Sequence, residues 1–137
     1  MIAMIDLRSD TVTRPSPEML EFMMKASVGD MIFGEDPAVN ELEEMSASMF
    51  HMEAALYCPS GTMTNQIAIK AHTRPGDEVI CSRLAHIYQF EGGGVAFNSG
   101  ASVALIDSDN GTFTAEDVEQ YINNPNDWHK AYTRLVE

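Results

Sequence analysis

The sequence predicts an α/β fold in which a mostly parallel sheet is covered by helices on both faces, giving part of a three-layer structure. Two observations favour this class. Short apolar runs alternate with segments of helical pattern along most of the chain, which is typical of strand–helix–strand units with right-handed crossovers. Turn signals such as Arg74-Pro75-Gly76-Asp77 and Asn98-Ser99-Gly100 separate those segments.

Two helices are predicted before the sheet. Ser16 and Asp36 are good N-caps, and each is followed by proline, which is favoured at the first helical position. We expect the first helix to end at Gly29. Apolar residues recur near helical spacing in both helices and include several of the ten methionines, which we expect to fill a core or an interface rather than to mark a cofactor site.

The sheet itself is predicted from four short apolar runs, at residues 54–58, 78–82, 102–107 and 133–136. Helices are expected between them at 62–72, 86–97 and from Thr114 to about 122, where Asp117 is placed to cap back onto Thr114. The last predicted strand reaches Glu137 without a covering helix, so we expect the chain to be a truncated piece of its domain.

Two strand ends carry candidate site residues. Ligands of parallel sheets bind outside the carboxyl ends of the strands. The Ser60-Gly61-Thr62 turn follows the first predicted strand and opens a helix, an arrangement whose free N–H groups and helix dipole suit a phosphate or another anion. Taken alone, such a turn is more often an ordinary helix cap. His86 follows the second predicted strand and should face the same crevice.

Composition narrows the classes of partner. The 137 residues suffice for one compact domain, and the net charge of −13 argues against nucleic acid or an anionic membrane as partner. No apolar run approaches the roughly 20 residues that span a bilayer, and the first six residues lack the features of a signal peptide. We therefore expect a cytoplasmic protein in which Cys58 and Cys81 are buried thiols, with no metal-binding spacing.

Four motifs together resemble one family. In order and spacing, the segments Leu7 to Pro15, Gly34-Glu35-Asp36-Pro37, Pro59 to Gln66, and His86-Ile87-Tyr88 with Glu91-Gly92-Gly93 are similar to low-specificity L-threonine aldolases, members of the beta-eliminating lyase group of fold-type-I pyridoxal-phosphate enzymes. The similarity runs from about residue 4 to the end of the chain. It covers only the N-terminal part of the family's subunit.

The resemblance implies a domain organisation and site roles. Residues 1–50 would form an N-terminal arm with helices, and 51–137 the first half of the large domain that binds pyridoxal 5'-phosphate. Gly61 and Thr62 would hold the cofactor phosphate, and His86 would lie against the pyridine ring and handle the substrate hydroxyl proton. Ser9, with Arg8 beside it, would contact the amino-acid substrate. A homo-oligomer, dimer or tetramer, is also implied.

Two departures from the family pattern limit what the resemblance implies. Phe33 stands where the family commonly has tyrosine, so a hydroxyl is lost there. None of Lys25, Lys70 and Lys130 matches the family's Schiff-base lysine, which would lie beyond residue 137 with the aspartate that binds the ring nitrogen.

Two functions remain open from the sequence. In the first, the chain is part of a lyase that cleaves threonine or allo-threonine to glycine and an aldehyde, and is inactive on its own. In the second, it is a non-catalytic α/β module that binds a phosphate compound or serves assembly. A purified chain that cleaves threonine would contradict the predicted inactivity.

Overall fold

A computed structural model of the chain describes residues 5–137; the first four residues, on which part of the N-terminal prediction rests, lie outside it. The described chain forms two compact units, one ending at Tyr57 and the other running from Cys58 to Glu137. None of the helices described between residues 5 and 137 is long and apolar enough to cross a membrane.

The first unit contains two helices, α1 (Pro17–Lys25) and α2 (Pro37–Met49). The Ser16 hydroxyl accepts a hydrogen bond from the Met19 amide at 3.2 Å, and the Asp36 carboxylate accepts from the second and third residues of α2 at 3.0 and 3.1 Å. Both predicted helix starts are therefore confirmed, because each side-chain oxygen satisfies N–H groups that have no partner within the helix.

The predicted end of the first helix at Gly29 is wrong, because α1 stops at Lys25 and Ala26 is already extended. Gly29 has another role. A Cβ atom at this position would lie 2.1 Å from the carbonyl oxygen of Glu35, and the Gly29 amide donates to the Asp36 carboxylate at 3.3 Å. The residue is thus a point of close backbone approach, which only glycine allows.

No residue between 5 and 57 is buried. The eight methionines within the described part of the chain are all exposed, so they fill no core there. The alternative that they contribute to an interface stays a prediction.

The second unit is the α/β structure. Its elements in chain order are α3 (Gly61–His72), β1 (Asp77–Ser82), α4 (His86–Gln89), β2 (Ser102–Ile106), α5 (Ala115–Glu119) and β3 (Tyr132–Val136). The three strands form one parallel sheet in the order β2-β1-β3. The predicted α/β class with a parallel sheet and helices is confirmed.

The first of the four predicted strands is absent from this sheet. Residues 54–58 pair with no strand in the described chain, and Leu56 is exposed. An apolar run becomes a strand only when a neighbour completes its ladder of hydrogen bonds. The Ser60-Gly61-Thr62 turn therefore follows irregular chain rather than a strand end.

The predicted helix at 86–97 is broken into two pieces. Helix α4 has four residues, and a π-helical turn at Val95–Ser99 follows it. Between them, Gly92 and Gly93 have positive φ angles of 61° and 73°, which reverse the chain where a helix would continue. Helix α5 begins with the predicted capping box between Thr114 and Asp117 but is shorter than expected.

The core lies around β1, the central strand. Val79 and Cys81 are fully buried and belong to one cluster with Ile69 of α3 and Ile87 of α4. Ile80 points to the opposite face of the sheet and is also fully buried. Burial on both faces is what a central parallel strand requires, and it holds the carboxyl end of β1, next to His86, in a defined place.

Candidate active site

The start of α3 presents two of the predicted site residues. The Ser60 hydroxyl caps the helix by accepting from the Met63 amide at 3.2 Å, whereas Gly61 and Thr62 are the first two helical residues. Their N–H groups have no acceptor within the helix. A Cβ atom built on Gly61 would meet no atom of the surrounding structure within 4 Å, so the space beside the Gly61 Cα is open.

His86 is the first residue of α4 and lies four positions after the last residue of β1. The structure thus places it just after the carboxyl end of β1, the strand that it was predicted to follow, and this strand is the central one of the sheet. Its side chain is 58% exposed, while its Nδ1 atom lies 2.9 Å from Oε1 of Glu91, whose side chain is completely buried. The imidazole therefore has one nitrogen on a buried carboxylate and much of its surface accessible.

Glu91 is held by two side chains of α3 besides His86. Asn65 donates from Nδ2 to Oε1 at 2.7 Å, and Gln66 donates from Nε2 to Oε2 at 2.5 Å. Burial raises the pKa of Glu91, but the hydrogen bonds from Asn65, Gln66 and His86 together outweigh it and leave the pKa below its ordinary value. The carboxylate is therefore ionised at neutral pH.

The network continues one step further, because Asn98 in the π-helical turn donates from Nδ2 to Oε1 of Gln66 at 3.1 Å. This contact leaves the amide nitrogen of Gln66 facing Glu91. Gly94 lies against the same side chain: a Cβ atom there would come within 2.6 Å of the Gln66 amide. The glycines after Glu91 thus reverse the chain direction and leave room for the side chain of Gln66.

A second acidic group influences this region. Burial raises the pKa of Glu137, which directly follows β3, and the charge of Glu91 raises it further, whereas His86 lowers it. The amide of Glu137 donates to the Ile80 carbonyl at 2.9 Å, so its backbone continues the pairing of β3 with β1.

Ser9 and Arg8 belong to the first unit. The Ser9 hydroxyl caps a short 3₁₀ turn at Asp10–Val12 by accepting from the Thr11 amide at 3.2 Å. The Arg8 guanidinium binds Asp6, with Nη2 and Oδ2 2.6 Å apart, and lowers the pKa of that carboxylate. Both predicted substrate residues are exposed, and their contacts in the structure are local.

The structure assigns contacts to three residues that the sequence interpretation left without a role: Asn65, Gln66 and Glu91. All three stand inside motifs already noted for their resemblance. The sequence feature that could have identified Glu91 is an acid five residues after a histidine and followed by three glycines. Its partners on α3 could not be inferred, because they lie 25 and 26 residues away in the chain.

The family model and the relatives found by comparison agree on one family. The model of the beta-eliminating lyase family matches residues 6–137. The chain is 46% identical over 134 residues to the low specificity L-threonine aldolase of Escherichia coli K12, a match that covers 97% of this chain and 40% of the relative. It is 43% identical over 134 residues to the low specificity L-threonine aldolase of Saccharomyces cerevisiae, with 96% and 35% covered.

The fold has a counterpart among solved structures. A structure of Leishmania major threonine aldolase superimposes with a TM-score of 0.70 at 24% identity, covering 87% of this chain and 34% of that one. The chain thus spans about 40% of the length of the Escherichia coli relative. Because the family model matches nearly every residue and the relatives agree with it, the chain belongs to the beta-eliminating lyase family.

Proposed function

We propose that this chain supplies part of the active site of a pyridoxal-phosphate-dependent lyase similar to the threonine aldolases. The reaction is the cleavage of a β-hydroxy-α-amino acid, such as threonine or allo-threonine, to glycine and an aldehyde. The observation that carries the proposal is the position of His86, held at the carboxyl end of β1 by a buried carboxylate. The relatives of the chain include low specificity L-threonine aldolases.

The residues at the start of α3 fit the cofactor's phosphate. Gly61 and Thr62 offer free amides at the positive end of a 12-residue helix, and the space beside Gly61 is open. His86 offers an accessible imidazole ring for the flat face of the pyridine. The chemistry that pyridoxal phosphate would supply there is an electron sink for the pair left on Cα when the bond to Cβ breaks.

His86 has the chemistry of the base in this reaction. When the Cα–Cβ bond breaks, the β-hydroxyl becomes the carbonyl of the aldehyde, so its proton must move to an acceptor. A neutral imidazole accepts a proton near neutral pH. Since Nδ1 is occupied by Glu91, Nε2 of His86 is the atom that takes it.

Ser9 and Arg8 are proposed to bind the amino-acid substrate. The Ser9 hydroxyl donates to Oδ1 of Asp10 at 3.2 Å in this structure and would turn to a substrate carboxylate instead. Arg8 carries five N–H donors, of which Asp6 engages those on Nε and Nη2. The remaining guanidinium donors are available to a second anion. This assignment rests on the resemblance of the segment Leu7 to Pro15 to the family.

The 137-residue chain alone is proposed to be inactive. Lys25 pairs with Glu21 on α1 at 2.6 Å, and Lys130 lies in the turn before β3. Lys70 is on the same helix as Thr62 but eight residues later, about 12 Å along the axis. None corresponds to the lysine that binds the cofactor covalently in the family.

The test uses the purified chain with added pyridoxal phosphate. We expect borohydride reduction followed by peptide mass mapping to label no single lysine, and we expect no glycine from threonine or allo-threonine. Turnover, or a specific reduced adduct, would contradict the proposed inactivity.

A chimera tests the active-site role. In it, this chain replaces the 134 matched residues of the Escherichia coli relative. A folded chimera that cleaves threonine supports the proposal, and one that binds the cofactor without cleavage supports the alternative, a phosphate-binding or assembly module.

We further propose a cytoplasmic homo-oligomer, a dimer or tetramer, whose small-molecule substrate is an amino acid. The net charge of −13 disfavours nucleic acid as a partner. Light scattering on the purified chain gives the mass, to be compared with 15.1 kDa for one copy.

A further inference from the structure

We propose that Glu91 is a positioning residue that holds the neutral His86 in its Nδ1-protonated form, leaving Nε2 as the free proton acceptor. The proposal rests on the proposed function only for the use of that acceptor, because the proton's position on the ring can be measured in the chain without substrate or cofactor.

The first step is the charge of Glu91. An ionised carboxylate in the interior is unfavourable unless its oxygens are paired. Here Asn65 and His86 meet Oε1, and Gln66 meets Oε2. Such hydrogen bonding favours the charged form, which has lone pairs and no proton to donate. Glu91 therefore acts purely as an acceptor.

The second step concerns the imidazole. An acceptor-only carboxylate 2.9 Å from Nδ1 requires that this nitrogen carry the proton. A neutral imidazole has a single ring proton, so Nε2 keeps its lone pair. When Nε2 takes up a proton, the resulting positive ring has the negative charge of Glu91 beside it. The same contact thus fixes which ring nitrogen carries the proton before the transfer.

Helix α3 and Asn98 together fix the position of the Glu91 carboxylate. The two amides that bind Glu91 come from consecutive residues of α3, and Asn98 fixes the orientation of the Gln66 amide. Asn65 lies about one helical turn after Gly61. The network therefore connects His86 to the part of α3 whose first turn is the proposed phosphate site.

Glu91 does not qualify as a catalytic residue, because its side chain is completely buried and its known contacts are with protein groups. The other acid that influences the pair is Glu137, which follows β3. It forms no hydrogen bond to His86 among the contacts of residues 5–137, so the direct partner of Nδ1 is Glu91.

The test is a two-bond ¹H–¹⁵N correlation spectrum of the 137-residue chain at about pH 8, where histidines are mostly neutral. The chain has four histidines, and His86→Phe identifies the His86 signals. We expect the pattern of a ring protonated at Nδ1. A ring protonated at Nε2 would overturn the proposal.

Two variants separate charge from packing. Glu91→Gln keeps the shape of the side chain but removes its charge. We expect His86 then to populate both the Nδ1-protonated and the Nε2-protonated neutral forms. Gln66→Leu removes a donor to Glu91 but leaves the carboxylate, so the Nδ1-protonated pattern should remain. An unchanged pattern in Glu91→Gln, or an equal change in both variants, would contradict the proposed role.

The chain also offers a matched control. His129 has its Nδ1 atom 3.2 Å from Oδ1 of Asp127, but this pair is exposed. Asp127→Asn should leave the His86 pattern unchanged. Threonine cleavage is not measured in any of these arms, so failure of the proposed lyase activity and failure of the positioning role remain distinguishable.

Discussion

Glu91 and His86 form a pair in which the carboxylate is completely buried and the imidazole is largely exposed, with 2.9 Å between Oε1 and Nδ1. The pair is local in sequence, yet its geometry depends on α3, which supplies two further donors to the same carboxylate. A buried acceptor with an accessible histidine in front of it is a common arrangement for a general base.

Replacing His86 separates its two proposed roles. His86→Phe keeps a flat aromatic ring but removes both nitrogens. In the chimera described above, we expect kcat for threonine cleavage to fall by about 10²- to 10⁴-fold, the usual contribution of a general base, with little change in cofactor affinity. His86→Ala should weaken cofactor binding as well. Full activity in His86→Phe would exclude His86 as the base.

Gly94→Ala should destabilise the second unit. Its Cβ would lie 2.6 Å from the Gln66 amide, which is buried and bound to Glu91. Displacing that side chain weakens the network, and we expect a loss of about 1–3 kcal/mol in the free energy of unfolding. Urea denaturation followed by circular dichroism measures it.

Gly61→Ala is the matched control for stability. Its Cβ would meet no atom within 4 Å, and alanine is the better helix former. We expect the free energy of unfolding to be unchanged or slightly higher. Binding of pyridoxal phosphate should weaken, because the new methyl group occupies the open space. Equal destabilisation by both substitutions would contradict the contact between Gly94 and Gln66.

Acid should destabilise the chain through Glu91. The pKa of Glu91 is lowered in the folded state, so the unfolded chain binds the proton more readily. The ionised Glu91 therefore stabilises the fold at pH values above its unfolded pKa of about 4.3. This stabilisation is lost as the pH falls through the folded pKa. Other acids with lowered pKa values, such as Asp77 and Asp107, add to the same trend. Glu137 acts in the opposite direction, because its pKa is raised.

The contribution of Glu91 can be isolated by comparison with Glu91→Gln. Urea midpoints of both chains, measured from neutral pH down to about pH 3, should converge as the pH falls. Parallel curves would show that Glu91 is not stabilised as a carboxylate in the folded chain.

The two cysteines should differ in reactivity. Cys81 is fully buried in β1, and burial raises its pKa to about 11, with a smaller effect from Glu137. Cys58 is only partly buried. With a thiol reagent at about pH 8, we expect Cys58 to react first and Cys81 to react only after denaturant is added. In Cys58→Ala, the native chain should show almost no rapid labelling.

Much of the fold could be predicted because its signals are local. The N-caps Ser16 and Asp36 each satisfy amides within three residues, and the box of Thr114 and Asp117 does the same. Apolar runs beside turn residues predicted β1, β2 and β3. The strand predicted at 54–58 is wrong because pairing with a neighbour, not composition, makes a strand.

The sequence alone determined the α/β class, the two helix starts and the position of His86 after a strand, since each depends on side chains close in the chain. Only the tertiary structure decided that Glu91 is buried, that Asn65 and Gln66 bind it, and that Gly94 must stay small beside them. A buried carboxylate needs partners wherever packing supplies them, and here packing brings together residues 25 and 26 positions apart.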